Sequence, residues 1–238
     1  MAIMAEAPQP PPTVTTSSRA AARPLVILAW ANVALHALGL AAALGLMRPG
    51  SPLAPPAARR AWLATAPWGW SAGWAVWMLC ALVLLALVTL IAERLRPAPL
   101  AALAAPLAAA ACAVDLVHEM AQIHLLPRLA ALGAEGEGLF AAVERTAQAA
   151  GNVVANGLYS LAVLALAIAL RDRPGGRLGV AVFAAGMSIA LADLLGQEML
   201  LGAAVPATIV LFCAWGVRVA RHCERHGGAP SEGGAAHR

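Results

Sequence analysis

The sequence contains no lysine, because all 16 of its basic residues are arginine. It therefore has no intramembrane amine that could form a Schiff base with retinal. It also lacks the HExxH motif of zinc peptidases and the paired aspartate motifs of membrane prenyltransferases. Cysteine is scarce, and three of the four cysteines lie inside apolar runs, so no disulfide framework is indicated. These absences exclude several classes of membrane enzyme and the disulfide-rich secreted proteins.

Charged residues are scarce as well, at 12% of the 238 residues, whereas hydrophobic residues make up 61% and the mean hydropathy is +0.75. Both percentages lie outside the usual range of soluble globular domains. The formal net charge of +4 does not indicate nucleic-acid binding, because the arginines flank apolar segments and form no basic stripe. The composition predicts an integral membrane protein whose main partner is the lipid bilayer, with no nucleic-acid partner.

Six apolar segments are long enough to cross the ~30 Å hydrocarbon core of a bilayer. They cover residues 24–47, 68–92, 98–126, 151–170, 178–195 and 200–220. The predicted fold class is therefore all-α, a polytopic bundle of six transmembrane helices within residues 24–220. Residues 1–23 are rich in Pro, Ala, Ser and Thr and are predicted to form a disordered cytoplasmic tail. Residues 221–238 are predicted to form a flexible cytoplasmic tail.

The arginines indicate the orientation, because cytoplasmic flanks carry an excess of positive charge. With the N-terminus inside, 11 of the 16 arginines fall on the cytoplasmic side and 5 on the other, so both termini are predicted to be cytoplasmic. The longer connections, residues 48–67 and 127–150, then lie outside. The second is expected to contain a short helix in the membrane interface. Four tryptophans near the outer end of the second span are interpreted as an aromatic belt: Trp62, Trp68, Trp70 and Trp74.

Polar residues recur four positions apart on four of the predicted spans, so each pair lies on one helical face. The pairs are Asn32 with His36, Asp115 with Glu119, Asn152 with Asn156, and Asp193 with Gln197. His118 and Gln122 fall on the same arc as Asp115, and Tyr159 lies beside the asparagines. A charged side chain near the bilayer centre costs roughly 2.5–3.5 kcal/mol on insertion scales, so these stripes are expected to face protein.

The predicted depths place these residues in one polar chamber in the outer half of the membrane. The third span runs outward, which puts Asp115 about 12 Å below its outer end at 1.5 Å per residue. The fourth span runs inward and the fifth outward, so Asn156 and Asp193 lie in the same half. The predicted ligand-binding residues are His36, Asp115, His118, Glu119, Gln122, Asn152, Asn156, Tyr159, Asp193 and Gln197.

Three functions remain open for this chamber. Paired carboxylates in a low dielectric share a proton readily, which favours a site that binds a proton, a cation or a small polar ligand, for example for transport. Alternatively, a metal-dependent membrane enzyme, an oxidoreductase or a hydrolase, could hold a metal ion with His36, Asp115, His118, Glu119 and Asp193. The third is a structural or assembly subunit, whose polar stripes bind a partner membrane protein or another copy in a homo-oligomer.

One part of the sequence resembles other membrane proteins. Residues 156–186 begin with Asn-Gly-Leu-Tyr-Ser-Leu and continue through Arg-Pro-Gly-Gly-Arg-Leu-Gly-Val to Ala-Ala-Gly. This order of a helix, a short Pro-containing loop and a Leu-Gly helix start is similar to that in families of uncharacterised bacterial multi-helix integral membrane proteins. The resemblance covers about two spans. It implies a six- or seven-helix bundle in a bacterial inner membrane and no particular chemistry.

Reporter fusions test the predicted orientation. Fusions after Arg171 and Arg221 should report a cytoplasmic location, and fusions near Arg60 and Glu137 the opposite side, because the arginine-rich connections stay in the cytoplasm. Alkaline phosphatase and a green fluorescent protein, which are active on opposite sides, should be compared at each position. A cytoplasmic location for Glu137 would reverse the orientation and move the chamber to the inner half of the membrane.

Overall fold

The computed structural model describes residues 16–48, 50, 54–95, 98–171 and 173–226, and no strand occurs among them. The α-helices of this part are α1 (Thr16–Leu44), α2 (Pro56–Leu63), α3 (Trp68–Arg94), α4 (Ala101–Met120), α5 (Leu126–Ala131), α6 (Glu137–Ala149), α7 (Asn156–Ala169), α8 (Gly176–Leu194) and α9 (Glu198–His226). Two π-helical segments interrupt the longest helices. The first, π1 (Ala121–Leu125), joins α4 to α5, and the second, π2 (Ala150–Ala155), joins α6 to α7.

Six helical stretches are long and apolar enough to cross a membrane, which confirms the predicted all-α bundle with six candidate spans. They cover Pro24–Leu44, Trp68–Arg94, Ala101–Ala131, Gly133–Ala169, Gly176–Leu194 and Glu198–Arg225. The third and fourth are longer than predicted, at 31 and 37 residues. At 1.5 Å per residue they measure about 46 and 55 Å, so each extends beyond a ~30 Å hydrocarbon core.

Three predicted boundaries change. Helix α1 begins at Thr16, so part of the segment predicted as a disordered tail (residues 1–23) is helical, and residues 1–15 lie outside the described residues. Helix α9 continues to His226, into the predicted flexible tail (221–238), of which residues 227–238 are not described. The interfacial helix expected within residues 127–150 is not a separate element, because α6 continues through π2 into α7.

The six spans form a ring in chain order. Each span packs against the next, and α9 returns to α1 and closes the ring. Helix α3 also contacts α7 and α9 across the middle. Small residues allow close approach between spans, as where a Cβ on Gly186 of α8 would collide with the side chain of Ser160 on α7. The fully buried centre includes Leu87, Val88, Leu166, Trp215 and Val219.

A second, smaller core lies at one end of the ring, where α2, α5 and α6 meet. We call these three helices the cap. The buried residues of this core are Met47, Leu63, Trp70, Leu126, Leu129, Ala130 and Phe140. The chain turns between α5 and α6 at Gly133, whose φ of +63° lies in the left-handed region that favours glycine. The third and fourth spans therefore extend into a helical hairpin that packs on α2.

Two ion pairs join α2 to α6 within the cap. The Arg59 Nη2 atom lies 2.6 Å from Glu144 Oε2, and both side chains are buried. The Arg60 Nη1 atom lies 3.1 Å from Glu137 Oε2, and the Glu137 side chain is 68% exposed. Removing one partner of a buried pair is costly because the other charge stays out of water, whereas an exposed pair contributes little.

Glu144→Gln should lower the free energy of unfolding by about 3 kcal/mol, because Arg59 would lose the Glu144 carboxylate in a buried position. Glu137→Gln is the matched control and should cost less than ~1 kcal/mol, because water screens that pair. Thermal unfolding of both variants in the same detergent measures the difference. Equal melting temperatures would show that the buried pair does not stabilise the cap.

Candidate functional site

Pro127 accounts for the π-helical segment π1 in the third span. Its nitrogen carries no hydrogen, and its ring disfavours a regular helical turn before it. Within π1 the amide of Leu126 donates to the carbonyl of Ala121, five residues earlier. In the same register the carbonyl of Gln122 would need the amide hydrogen that Pro127 lacks. The indole Nε1 of Trp70 donates to this carbonyl instead, at 2.7 Å.

The Gln122 side chain positions His118, which lies one turn earlier on the third span. The amide nitrogen Nε2 of Gln122 is 3.1 Å from the imidazole Nε2 of His118. Since the amide nitrogen donates, the imidazole Nε2 accepts and Nδ1 carries the ring proton. Within the described residues Nδ1 has no hydrogen-bond partner. It lies 3.6 Å from Asp115 Oδ1, a distance too long for a hydrogen bond but short enough for electrostatic attraction.

Trp74 and Gly151 enclose the buried imidazole of His118. The rings of Trp74 and His118 pack edge to face, with centroids 5.0 Å apart. Gly151 lies in π2, and a Cβ there would be 2.5 Å from His118 Nδ1. The two π segments, which belong to neighbouring spans, therefore meet at one histidine. Such interruptions of an α-helix are frequent at functional sites.

Glu119 is the most deeply buried acidic residue in the part of the chain that the structure describes, at 2% exposure. Its Oε2 atom has no hydrogen-bond partner there. Asp115, one turn away, is close enough to act on Glu119 electrostatically, and its own side chain is 24% exposed. An unpaired carboxylate in a low dielectric costs several kcal/mol. A bound proton or cation would remove that cost.

A cavity of about 70 Å³ lies inside the helical ring. Helices α1, α3, α7, α8 and α9 contribute to its walls. Its polar lining consists of His36, Asn156, Tyr159, Ser160 and Thr208. Asp115 acts electrostatically on both His36 and Tyr159. The Tyr159 hydroxyl lies beside the thiol of Cys112, which is one helical turn before Asp115 on α4, so the cavity lies near the turn that carries Asp115.

A larger groove of about 340 Å³ lies between α4 and α6. Its walls are mainly alanine, valine and leucine, and His118 contributes a polar ring. The hydroxyl of Thr146 also lines the groove, but it donates to the carbonyl of Ala142 on its own helix. His118 therefore separates an apolar groove from the polar interior.

Most of the predicted site residues form two neighbouring groups. Asp115, His118, Glu119 and Gln122 lie together on the third span, while His36, Asn156 and Tyr159 line the cavity. Asn152 Nδ2 donates to Asp193 Oδ1 at 3.0 Å, so the fourth and fifth spans meet at this pair. Asn156 Nδ2 donates to the carbonyl of Gly151 at 3.1 Å. The asparagines thus bond to protein groups next to the cavity and the histidine.

The structure corrects the predicted pair of Asp193 and Gln197 on one helical face. Helix α8 ends at Leu194, and Gly196 adopts a φ of +63°. The amide of Gln197 donates to the carbonyl of Ala192 at 2.8 Å, a helix ending typical of a Schellman motif. Gln197 therefore lies exposed in the turn before α9, outside the polar site.

No three His, Cys, Asp or Glu side chains in the described ranges are arranged so that they could hold a metal ion. The predicted metal ligands are separated instead. His36 lies at the cavity, and Asp193 is bonded to Asn152. Asp115, His118 and Glu119 share the third span but do not converge as ligands. The metal-dependent enzyme gains no support from this geometry.

The tryptophans differ from the predicted aromatic belt. Trp68 is 74% exposed, as a belt residue should be, but Trp70 is 3% exposed and Trp74 contacts His118. Trp70 and Trp74 therefore belong to the polar site, although tryptophans near the end of a span are expected to contact lipid headgroups. Pro127 is the sequence signal for their role, because a proline inside a span leaves a carbonyl that requires another donor. No pattern in the sequence identifies which donor supplies it.

Gly151→Ala should destabilise the protein and displace His118, because the new Cβ would lie 2.5 Å from Nδ1. Gly157→Ala on α7 is the matched control, because a Cβ there would meet no described atom within 4 Å. Replacing this helical glycine should stabilise the protein by ~0.5–1 kcal/mol. Thermal unfolding of both variants in the same detergent measures the expected fall in melting temperature for Gly151→Ala and the expected rise for Gly157→Ala. An equal rise in melting temperature for the two variants would contradict the close contact between π2 and His118.

No protein-family model, curated protein or solved structure matches this chain. Within the polar site, the features that bear most directly on function are the buried carboxyl of Glu119, its neighbour Asp115 and the cavity beside Tyr159.

Proposed function

We propose that the protein is an integral membrane protein whose intramembrane polar site, centred on Glu119 and Asp115, binds a proton, a cation or a small polar ligand for transport. The single observation that carries the proposal is Glu119, which is 2% exposed and has an oxygen without a hydrogen-bond partner in the described residues. Acidic groups inside spans are costly and are usually functional. Helical packing alone does not require one here.

Among the three occupants, a proton fits the surroundings of Glu119 best. A metal ion needs several ligands, and no suitable group of three is present in the described residues. A proton needs one carboxyl oxygen and makes the buried group neutral. The neighbouring Asp115 favours this further, because two nearby carboxylates in a low dielectric repel each other and share protons.

The two carboxyl groups have different access to their surroundings, which suits them to different roles. Asp115 is partly exposed, so it can exchange a proton with an adjoining space. Glu119 is almost fully enclosed and can hold the proton once it arrives. The imidazole of His118 directs its Nδ1 hydrogen toward Asp115 across 3.6 Å.

The direction of access follows from the arginine distribution. The cap lies at the end of the ring that includes Trp70 and π1, and the 11-to-5 arginine split predicts that this end faces away from the cytoplasm. Asp115 and Glu119 lie in the turns just before π1. The proposed site therefore opens toward the extracytoplasmic half of the membrane.

Burial favours a binding site over a structural or assembly role. An assembly subunit would use its polar stripes to bind a partner helix, and those side chains would be uncovered in the isolated chain. His118, Glu119 and Gln122 are each less than 9% exposed within this single chain. Their polar atoms are already enclosed by the protein's own helices.

Glu119→Gln should remove a signal that the proposed site produces. Infrared spectra of the wild-type protein at neutral pH should contain the C=O stretching band of a protonated carboxyl group, and Glu119→Gln should abolish that band. Glu198→Gln is the control and should leave the band in place, because Glu198 is exposed at the start of α9. If Glu119→Gln leaves the band unchanged, Glu119 does not hold the proton.

Asp115→Asn preserves shape and hydrogen bonding, so it separates function from structure. The variant should fold with wild-type yield but lose at least tenfold in proton uptake, measured with a pH-sensitive dye inside liposomes. Full uptake by both Asp115→Asn and Glu119→Gln would refute the ionisable site. If both variants fail to fold while Glu198→Gln folds, the residues act structurally and the assembly role is favoured.

A further inference from the structure

We infer that the cavity inside the ring holds ordered water that links Tyr159 and His36 to the carboxyl groups of Asp115 and Glu119, and that protons move along this water. The inference rests on the proposed function and adds the route by which protons reach the site.

The cavity has the size and polarity that ordered water requires. Its volume of about 70 Å³ exceeds the roughly 10–15 Å³ that one water needs by this kind of measure. A buried water also needs two to four polar partners. Five polar side chains from α1, α7 and α9 line the space, whereas an empty cavity is expected to be lined by apolar groups alone.

Tyr159 supplies the strongest indication of a bound partner. Its side chain lines the cavity, the residue is 9% exposed, and its hydroxyl bonds to no nitrogen or oxygen atom of the described residues. The weakly hydrogen-bonding thiol of Cys112 lies close to it. Buried hydroxyl groups are nearly always hydrogen-bonded to protein or to ordered water. Water in the cavity would satisfy this hydroxyl.

His36 presents the complementary acceptor. Its Nδ1 is 2.9 Å from the carbonyl of Asn32, which can only accept, so Nδ1 carries the hydrogen and Nε2 has a lone pair. The rings of Trp77 and Phe212 pack against the imidazole and hold its orientation. A donor on α7 and an acceptor on α1 thus line the same space, as a bridging water would need.

The third span connects this space to the site. The thiol of Cys112 lies beside the Tyr159 hydroxyl, and Cys112, Asp115 and Glu119 follow one another at spacings of three and four residues on α4, which places them on one helical face. Asp115 is also close enough to act electrostatically on His36 and Tyr159. Transfer along a chain of waters breaks one O–H bond and forms another at each molecule, so no other reactant is consumed. A proton that reaches Asp115 by this route needs one further transfer to occupy Glu119.

Filling the cavity tests the route. Val182 lines the cavity and is 3% exposed, so Val182→Phe would occupy the space of the water. Val180→Phe is the matched control, because Val180 is on the same helix and is 48% exposed. The measurement is the rate at which the carboxyl infrared band shifts after transfer to D₂O. Val182→Phe should slow this exchange at least tenfold, and Val180→Phe should leave it unchanged.

Tyr159→Phe provides a second test that does not add volume. It removes the hydroxyl but keeps the ring, so it should fold even if Val182→Phe does not. With one water partner removed, exchange of the carboxyl band should slow at least threefold. If Tyr159→Phe exchanges its carboxyl proton at the wild-type rate, and Val182→Phe does the same provided that it folds, the water route is wrong. The proposed function would then remain intact. A wild-type protein with no protonated carboxyl band would overturn both.

Discussion

Inside a bilayer no water is available to backbone groups, so every carbonyl of a spanning helix needs a partner within the protein. Pro127 removes one amide hydrogen from the third span, and the carbonyl of Gln122 accepts a hydrogen bond from the indole of Trp70. An unsatisfied buried carbonyl would cost about 1–3 kcal/mol. This one bond joins the second span to the third and supports the widened turn of π1. The side chain of Gln122, carried on the same turn, then bonds to His118. The arrangement of the polar site therefore begins with a backbone requirement.

The neighbouring spans complete that arrangement by close contact. A side chain at position 151 would occupy the place of the His118 ring, so glycine in π2 lets the fourth span approach the third. Asn156 bonds to the Gly151 carbonyl, and Asn152 bonds to Asp193 on the fifth span. Asn156 is thus held within the fourth span, and Asn152 is held across to the fifth. Glu119 is an acidic group that is 2% exposed and has an oxygen without a hydrogen-bond partner in the described structure. Because a buried carboxylate is costly unless it is paired or protonated, the proposed site is centred on Glu119.

Hydropathy alone predicts the six spans, because bilayer thickness sets their minimum length. It misses the ends of the third and fourth, since these helices continue into the cap, where protein packing rather than lipid decides their length. The rule that residues four positions apart share a helical face correctly places Asp115 beside Glu119, because helical geometry is fixed over one turn. The same rule fails for Gln197, because Gly196 ends the helix first, and that glycine is itself a recognised stop signal. The partner of the Gln122 carbonyl depends on which spans are neighbours, and residue spacing along one helix carries no information about that.

The groove between α4 and α6 and the cavity inside the ring differ in whether they can conduct protons to the site. The groove between α4 and α6 is mainly apolar, and His118 is the polar ring it offers, so it gives a proton no continuous series of partners. The cavity lies among α1, α3, α7, α8 and α9, and α3 also contacts α7 and α9 across the ring. That space is where the donors and acceptors of α1, α7 and α9 converge. Asp115 acts on two of them and on Glu119. For a buried carboxyl group that must exchange its proton, the interior of the ring is therefore a better route than the apolar groove between α4 and α6.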